Sequence, residues 1–110
     1  MTDILVVLCT FPDREQARQI GTILVESQLA ACVNLCPSVE SIYRWKGKME
    51  QATEVLALIK TTKEGFAALE EALLKLHPYD VPEIVALAPE AVHELYAAWV
   101  KAETGSRPAE

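Results

Sequence analysis

Glycine, cysteine and histidine are scarce in this sequence, and each shortage argues against a class of functional site. The four glycines are scattered, so a glycine-rich phosphate loop is not expected. The three cysteines form no C-x-x-C pair, which disfavours both a zinc knot and a disulfide framework. Because neither a Ser-His-Asp order nor a G-x-S-x-G motif occurs, we do not expect an enzyme.

The sequence also lacks basic runs and long apolar runs. The net charge is -6 at pH 7 and no basic stretch is interleaved with aromatics, so neither nucleic acid nor a membrane surface is an expected partner. No apolar run approaches the roughly 18 residues of a membrane-spanning helix. The N-terminal MTDILVVLCTFPD lacks the basic region and cleavage site of a signal peptide. The predicted location is the cytoplasm.

The apolar residues that are present follow the periods of strands and helices. They make up 51% of the 110 residues, which is enough for the core of one domain. The run at 3–9 predicts a buried first strand. Asp13, with Gln16 three residues later, predicts the start of a helix over 13–27.

The second half of the chain repeats this alternation. Thr61 and Glu64 predict a capping box for a second helix, which ends at His77 because the next residue is proline. PEIVALA predicts the last strand, and a third helix is predicted to begin at Pro89. The order β-α-β-β-α-β plus a C-terminal helix predicts an α+β, ferredoxin-like fold. We expect one domain over 1–103 and a mobile C-terminal tail over 104–110.

Two strand-like arms of at least ten residues flank Gly47 and predict a long central hairpin. Ten extended residues reach about 33 Å, whereas a compact domain of this size has a radius of gyration of about 13 Å. Part of the hairpin should therefore project beyond the core, with Ile42, Tyr43 and Trp45 near its tip. Because exposed strand edges invite pairing, we expect the hairpin to pack on another copy of the chain.

Four stretches resemble the CutA divalent-cation tolerance family: VVLCT, LAACVN, SIYRWKGKMEQATEVLALIKTT and LHPYDVPEIVAL. They cover most of the chain in the family's order and spacing. The resemblance implies a cytoplasmic homotrimer with a PII-like architecture, in which long hairpins wrap between subunits. The family's link to copper tolerance implies metal binding in the response to metal ions, with no organic cofactor and no established reaction.

The resemblance also implies a site for copper or another divalent cation. The matching positions are Cys9, His77 and Glu54, while Leu76 stands where the family has a further histidine. In a ferredoxin-like sheet the last strand lies beside the first, which predicts that Cys9 and His77 are close; thiolate and imidazole suit copper or zinc. The alternative is that Cys9 is a small buried residue and that His77 only ends a helix.

A second candidate site is a cleft between subunits, lined by Trp45, Tyr79 and Glu83. The prolines around PYDVPE would stiffen its wall, although they can equally do no more than shape a solvated loop. The resemblance adds Lys60 near this cleft, where it would pair with Glu83 or hold a small anion with it. Trp45 can also serve simply as interface packing.

Three functions follow from these features. The first is a trimeric protein of the divalent-cation tolerance type that binds copper or another divalent metal. The second is a PII-like signalling trimer that binds a small molecule in its inter-subunit clefts. The third is a small hydrolase using Cys9 and His77, which an apolar setting for the thiol disfavours.

Overall fold

The computed structural model describes residues 3–105. Its elements are β1 (Ile4–Phe11), α1 (Arg14–Glu26), β2 (Cys32–Trp45), β3 (Lys48–Thr62), α2 (Phe66–Leu76), β4 (Val85–Leu87) and α3 (Glu94–Glu103). The strands form one antiparallel sheet in the order β2-β3-β1-β4. The predicted ferredoxin-like fold is confirmed, and β4 lies beside β1 as that fold requires.

The main core lies between one face of the sheet and the helices α1 and α2. Side chains alternate along a strand, so every second residue of β1 and β3 faces this layer. The helices supply apolar stripes at helical spacing. The core is built from Leu5, Val7, Cys9, Phe11, Ala17, Ile20, Leu24, Ala30, Val55, Ala57, Ile59, Leu69 and Leu73.

The start of α1 agrees with the sequence prediction. The Asp13 carboxylate accepts the backbone N–H of Gln16 at 2.8 Å and its side-chain amide at 2.9 Å. These bonds lower the pKa of Asp13, the backbone bond having the larger effect. The helix that follows spans all but the end residues of the predicted range.

The predicted capping box of the second helix is wrong. Thr61 is still part of β3, and its hydroxyl donates to the Leu29 carbonyl at 2.9 Å. The helix instead begins after Gly65, whose N–H is accepted by the Thr62 hydroxyl at 3.0 Å. The Thr61 hydroxyl, which the motif assigned to the helix cap, therefore bonds to the loop before β2 instead.

The third helix begins at Glu94, five residues after the predicted start at Pro89. The intervening segment is non-helical, and Val92 packs from it against the second cluster of buried residues. This packing outweighs the local preference for proline in a first helical turn.

The last strand is shorter than PEIVALA, because only Val85–Leu87 pairs with β1. A proline at the start of that stretch has no N–H for the ladder. Beyond α3, Thr104 is buried and the Gly105 N–H donates to the Gln28 carbonyl at 2.8 Å. The remainder of the tail predicted to be mobile, 106–110, lies outside the described residues.

The long hairpin is confirmed, with 14 residues in β2 and 15 in β3. Lys46 and Gly47 both have positive φ (52° and 81°), as a two-residue type I′ turn requires. Pairing of β3 with β1 ends at Val55, whereas pairing with β2 continues to the turn. The hairpin tip therefore runs past the core, and the longest axis of the molecule is 46 Å against 22 Å for the shortest.

The second face of the sheet is apolar and only partly covered. The helix α3 packs over its Ile4 end. Farther along, Val85 and Leu87 are 45% and 49% exposed. They pair with Leu8 and Val6 respectively, so these four side chains share the face opposite α1 and α2. We call these four residues the outer strip.

Candidate functional site

The structure brings Cys9 and His77 together at one backbone carbonyl. Cys9 lies near the end of β1, and His77 is the C-cap of α2. The His77 Nε2 donates to the Thr10 carbonyl oxygen at 2.7 Å, and the Cys9 Sγ lies 4.0 Å from the same oxygen. The juxtaposition expected from the fold is therefore present within one chain.

Both nitrogens of the His77 ring are engaged. Since a carbonyl can only accept, Nε2 carries the proton, and Nδ1 accepts the backbone N–H of Tyr79 at 3.1 Å. The ring also stacks on Phe11, with centroids 4.7 Å apart. Burial lowers the pKa of His77, although its bond to Thr10 opposes the shift. The neutral His77 ring thus links β1 to the segment after α2 by hydrogen bonds.

Cys9 sits in the core with none of its surface exposed. Burial raises the pKa of its thiol to about 12, with smaller contributions from the nearby Glu83 and Glu54 carboxylates. A thiol with this pKa stays protonated at neutral pH, and the thiolate is the form that attacks electrophiles and ligates metals. The predicted nucleophilic role is therefore unsupported by the surroundings of Cys9.

Glu54 is the buried acid of the site, with 8% of its surface exposed. Its two carboxylate oxygens accept the hydroxyls of Ser41 and Tyr79, each at 2.6 Å. Burial, and then the bond to Glu54, raise the pKa of Tyr79. The carboxylate thereby ties the hairpin to the segment that follows α2.

These residues do not fit a metal ion as they are arranged. Both nitrogens of His77 and both carboxylate oxygens of Glu54 already have partners, and the Cys9 thiol is protonated. Leu76, at the family's histidine position, is an exposed side chain at the end of α2. Within residues 3–105 no group of three or more His, Cys, Asp and Glu side chains has an arrangement that could hold a metal ion.

Beside this cluster the surface opens into a cleft of about 680 Å³. One wall is the hairpin, the other is the segment after α2, and Glu54 lies between them. The predicted cleft residues Trp45, Tyr79 and Glu83 all line it. Among residues 3–105 its lining is Thr10, Ser41, Ile42, Tyr43, Trp45, Glu54, Pro78, Tyr79, Asp80, Val81 and Glu83.

Lys60 is the exception among the predicted cleft residues. Its ammonium donates to the Asn34 side chain and lies 3.8 Å from the Cys32 Sγ. It does not line the cleft, and no ion pair joins it to Glu83 within the chain. Position 60 pairs with Val6 in the sheet, away from the mouth of the cleft.

Sequence reasoning missed Ser41, Tyr43 and Asp80. The first two could have been found from the hairpin register, since period two places them on the same strand face as Trp45. Asp80 could have been inferred from its position beside Tyr79. The bond from Ser41 to Glu54 needed the pairing register around the bulge after Cys36, which no local motif encodes.

Fold and site define a ferredoxin-like α+β protein with an extended hairpin and an acidic cleft alongside it. The family model described as CutA1 divalent ion tolerance protein matches residues 5–103. The chain belongs to this family.

Relatives support the assignment over nearly the whole chain. The divalent-cation tolerance protein CutA of Thermus thermophilus is 49% identical over 100 residues, covering 91% of this chain and 97% of that protein. Mouse protein CutA is 45% identical, and the match covers 88% of this chain but 55% of the mouse protein. The chain thus spans about half the length of that mammalian relative.

Solved structures of relatives have the same fold. The Thermus thermophilus protein superimposes with a TM-score of 0.90 at 48% identity, covering 93% of this chain and 99% of the other. CutA1 from Oryza sativa superimposes with a TM-score of 0.92 at 36% identity, covering 96% and 97%.

The names of the relatives give different cellular compartments. One from Arabidopsis thaliana, 39% identical over 91% of this chain and 55% of its own length, is called chloroplastic. A structure from Archaeoglobus fulgidus, 33% identical with a TM-score of 0.88 over 91% of this chain and 97% of the other, is called periplasmic. In residues 3–105 of this chain, no helix has the length and apolarity needed to cross a membrane.

Proposed function

We propose that this protein is a homotrimer that binds a small molecule in clefts between its subunits and takes part in the response to divalent metal ions. The observation that carries the proposal is the cleft of about 680 Å³ that one chain forms, with Glu54 between its walls; a second subunit packed on the hairpin would lie beside it. Its size is typical of small-molecule sites, which measure about 300–1,000 Å³. The role in metal tolerance comes from the family.

Self-association is supported by two apolar surfaces that one chain leaves uncovered. The first is the hairpin tip, where Ile42 and Met49 are more than half exposed. The second is the outer strip on the far face of the sheet. Exposed apolar patches of this kind mark association surfaces in proteins that fold as single domains. The number three is implied by the family resemblance.

Assembly is tested by placing a charge at the hairpin tip. Met49→Glu should lower the mass measured by light scattering at low protein concentration, because a carboxylate would be desolvated in the contact. The matched control is Leu74→Glu on α2, since the original side chains are 63% and 56% exposed. A Met49→Glu protein with the wild-type mass would contradict the proposed contact.

Ligand binding is tested by native mass spectrometry of the purified protein. We expect the mass of three chains together with a small molecule, and we expect Glu54→Gln to lose that molecule. Glu90→Gln removes the same charge at an exposed position outside the cleft and should keep it. A ligand-free assembly that also fails to bind cationic, neutral and anionic compounds in a screen would contradict the proposal.

Copper binding through Cys9, His77 and Glu54 is the second candidate. Its support is the closeness of Cys9 and His77 to the Thr10 carbonyl. Binding there would have to break the bonds of His77 and deprotonate a buried thiol. The discriminating variant is Leu76→His, which adds the histidine of the family pattern and should raise copper affinity if the site operates.

The proposal includes no catalytic step and no organic cofactor. It places the protein in the cytoplasm, a location that the family resemblance implies. Nucleic acid and membranes are not among its proposed partners. Fractionation of the source cells tests the location.

A further inference from the structure

We propose that the cleft beside Glu54 selects small organic cations, such as amines and quaternary ammonium compounds. This inference rests on the proposed function and specifies the chemical class of its ligand. It is drawn from the charge of the side chains that line the cleft, from the aromatic residues in its walls and from the burial and hydrogen bonds of Glu54.

The charged side chains of the cleft are all acidic. They are Glu54, Asp80 and Glu83, and among residues 3–105 no lysine, arginine or histidine lines the cleft. The net charge of the chain, -6, adds to the negative potential there. An anionic ligand would meet this field without a counter-charge, so the lining favours a cation.

The buried carboxylate of Glu54 strengthens this conclusion. Its bonds come from the neutral hydroxyls of Ser41 and Tyr79, which orient the charge without neutralising it. No lysine, arginine or histidine forms an ion pair with Glu54 in the part of the chain that the structure describes. A buried charge without a counter-ion is costly, and a bound cation would supply that counter-ion.

The walls suit an organic cation better than a bare metal ion. Tyr43, Trp45 and Tyr79 present aromatic rings, which attract ammonium groups through their negative faces. The Lys46 ammonium lies 5.8 Å from the centroid of the Trp45 ring, so a ligand cation over this ring would have to displace it. A metal ion would need several oxygens within about 2.6 Å, and residues 3–105 hold no such group.

The test compares choline with 3,3-dimethylbutan-1-ol, its uncharged analogue of similar shape. Calorimetric titrations of the assembled protein at constant ionic strength should show saturable choline binding. We expect the uncharged analogue to bind at least about tenfold more weakly, the factor that a cation–π contact of ordinary strength would supply. Acetate should not bind.

Two substitutions locate the binding. Glu54→Gln and Trp45→Leu should each weaken choline binding about tenfold. Their matched controls are Glu90→Gln and Trp99→Leu, which make the same changes outside the cleft and should bind as wild type. Light scattering and circular dichroism confirm that each variant is assembled and folded, and Trp45→Leu carries the test if Glu54→Gln does not fold.

The possible failures have different meanings. Equal affinity for choline and its uncharged analogue, or tighter binding of acetate, would overturn the cation inference and leave a ligand-binding cleft. Choline binding that is unchanged in Glu54→Gln and Trp45→Leu would overturn it as well. An absence of choline binding would overturn it even if native mass spectrometry finds another ligand. If native mass spectrometry finds no ligand and the screen of cationic, neutral and anionic compounds is also negative, the proposed function fails too.

Discussion

Two regions meet at Glu54 and differ in how their polar groups are satisfied. On the core side, His77 bonds to Thr10 through one nitrogen and to Tyr79 through the other. On the cleft side, the Asp80 and Glu83 side chains are exposed and face open volume. The first region is a buried, hydrogen-bonded contact that stabilises the fold, and we call it the structural joint. The second has the properties of a binding site.

The difference shows that residue type does not by itself identify a site. Cysteine and histidine are common metal ligands, yet here His77 links the end of α2 to β1 and Cys9 is buried in the core. The carboxylates that line the cleft have no ion-pair partner within residues 3–105, and they lie on the other side of Glu54. Substitutions should therefore reduce stability on the core side and binding on the cleft side.

Removing the ring beneath His77 should have the largest effect on stability. Phe11 is buried and stacks on His77, so Phe11→Ala should lower the free energy of unfolding by about 3–5 kcal/mol. Val81→Ala, at an exposed position of the cleft, should change it by less than about 0.5 kcal/mol. Urea unfolding at one fixed protein concentration measures both, and similar losses would remove the distinction between the regions.

The bond that joins the two regions should have an intermediate effect. Tyr79→Phe removes the hydroxyl that Glu54 accepts and should lower the free energy of unfolding by about 1–2 kcal/mol. Tyr43→Phe, in the same cleft, is the matched control and should leave it nearly unchanged. In a Glu54→Gln background the loss from Tyr79→Phe should shrink, and an undiminished loss would show that the two residues are not coupled.

The pH dependence of stability should report the burial of the His77 ring. The pKa of His77 in the folded protein is below its ordinary 6.5, so the unfolded chain binds a proton first as pH falls. His77 should therefore stabilise the protein above about pH 6.5, and this contribution should be lost as pH falls through the folded pKa. Urea unfolding of His77→Asn at several pH values should give a flatter profile than that of the wild type. Equal slopes for His77→Asn and wild type would contradict the buried neutral ring.

The smallest effect is expected for the reactivity of Cys9. With no exposed surface and a pKa raised to about 12, its thiol should not react rapidly with Ellman's reagent in the native protein. Wild type and Cys9→Ala should show the same number of fast-reacting thiols, supplied by Cys32 and Cys36, which are half-buried. If Cys9→Ala shows one fewer fast-reacting thiol than the wild type, Cys9 is accessible to the reagent in the native protein, which would contradict its burial.

Much of the fold could be predicted from the sequence because local and tertiary preferences agree. The bonds from Asp13 to Gln16 start α1 where the motif predicts, and Gly47 forms the turn between strands of the predicted length. The predicted helix starts failed where a residue makes a tertiary contact instead. Thr61 bonds to Leu29, and Val92 packs in the second cluster of buried residues. A sequence motif states a local preference, and these residues are held by contacts distant in the chain.

The site was predictable in position and less so in chemistry. Ferredoxin-like topology places Cys9 near His77, and the cleft residues Trp45, Tyr79 and Glu83 were expected together. The sequence does not show that both His77 nitrogens form hydrogen bonds. Those bonds depend on the orientation of the ring and on the Thr10 carbonyl, and every residue has a carbonyl, so no motif marks it. The position of Lys60 was likewise set by strand register, which brings it beside Asn34.

The central claim is that Cys9 and His77 form a structural joint and that the cleft beside them is the binding site. Calorimetric titration of the purified protein with copper, beside Cys9→Ser and His77→Ala, tests it most directly. We predict that any copper binding is weak and the same in all three proteins. Saturable binding at a fixed ratio per chain, lost in both variants that remain folded, would contradict the claim and establish these residues as ligands.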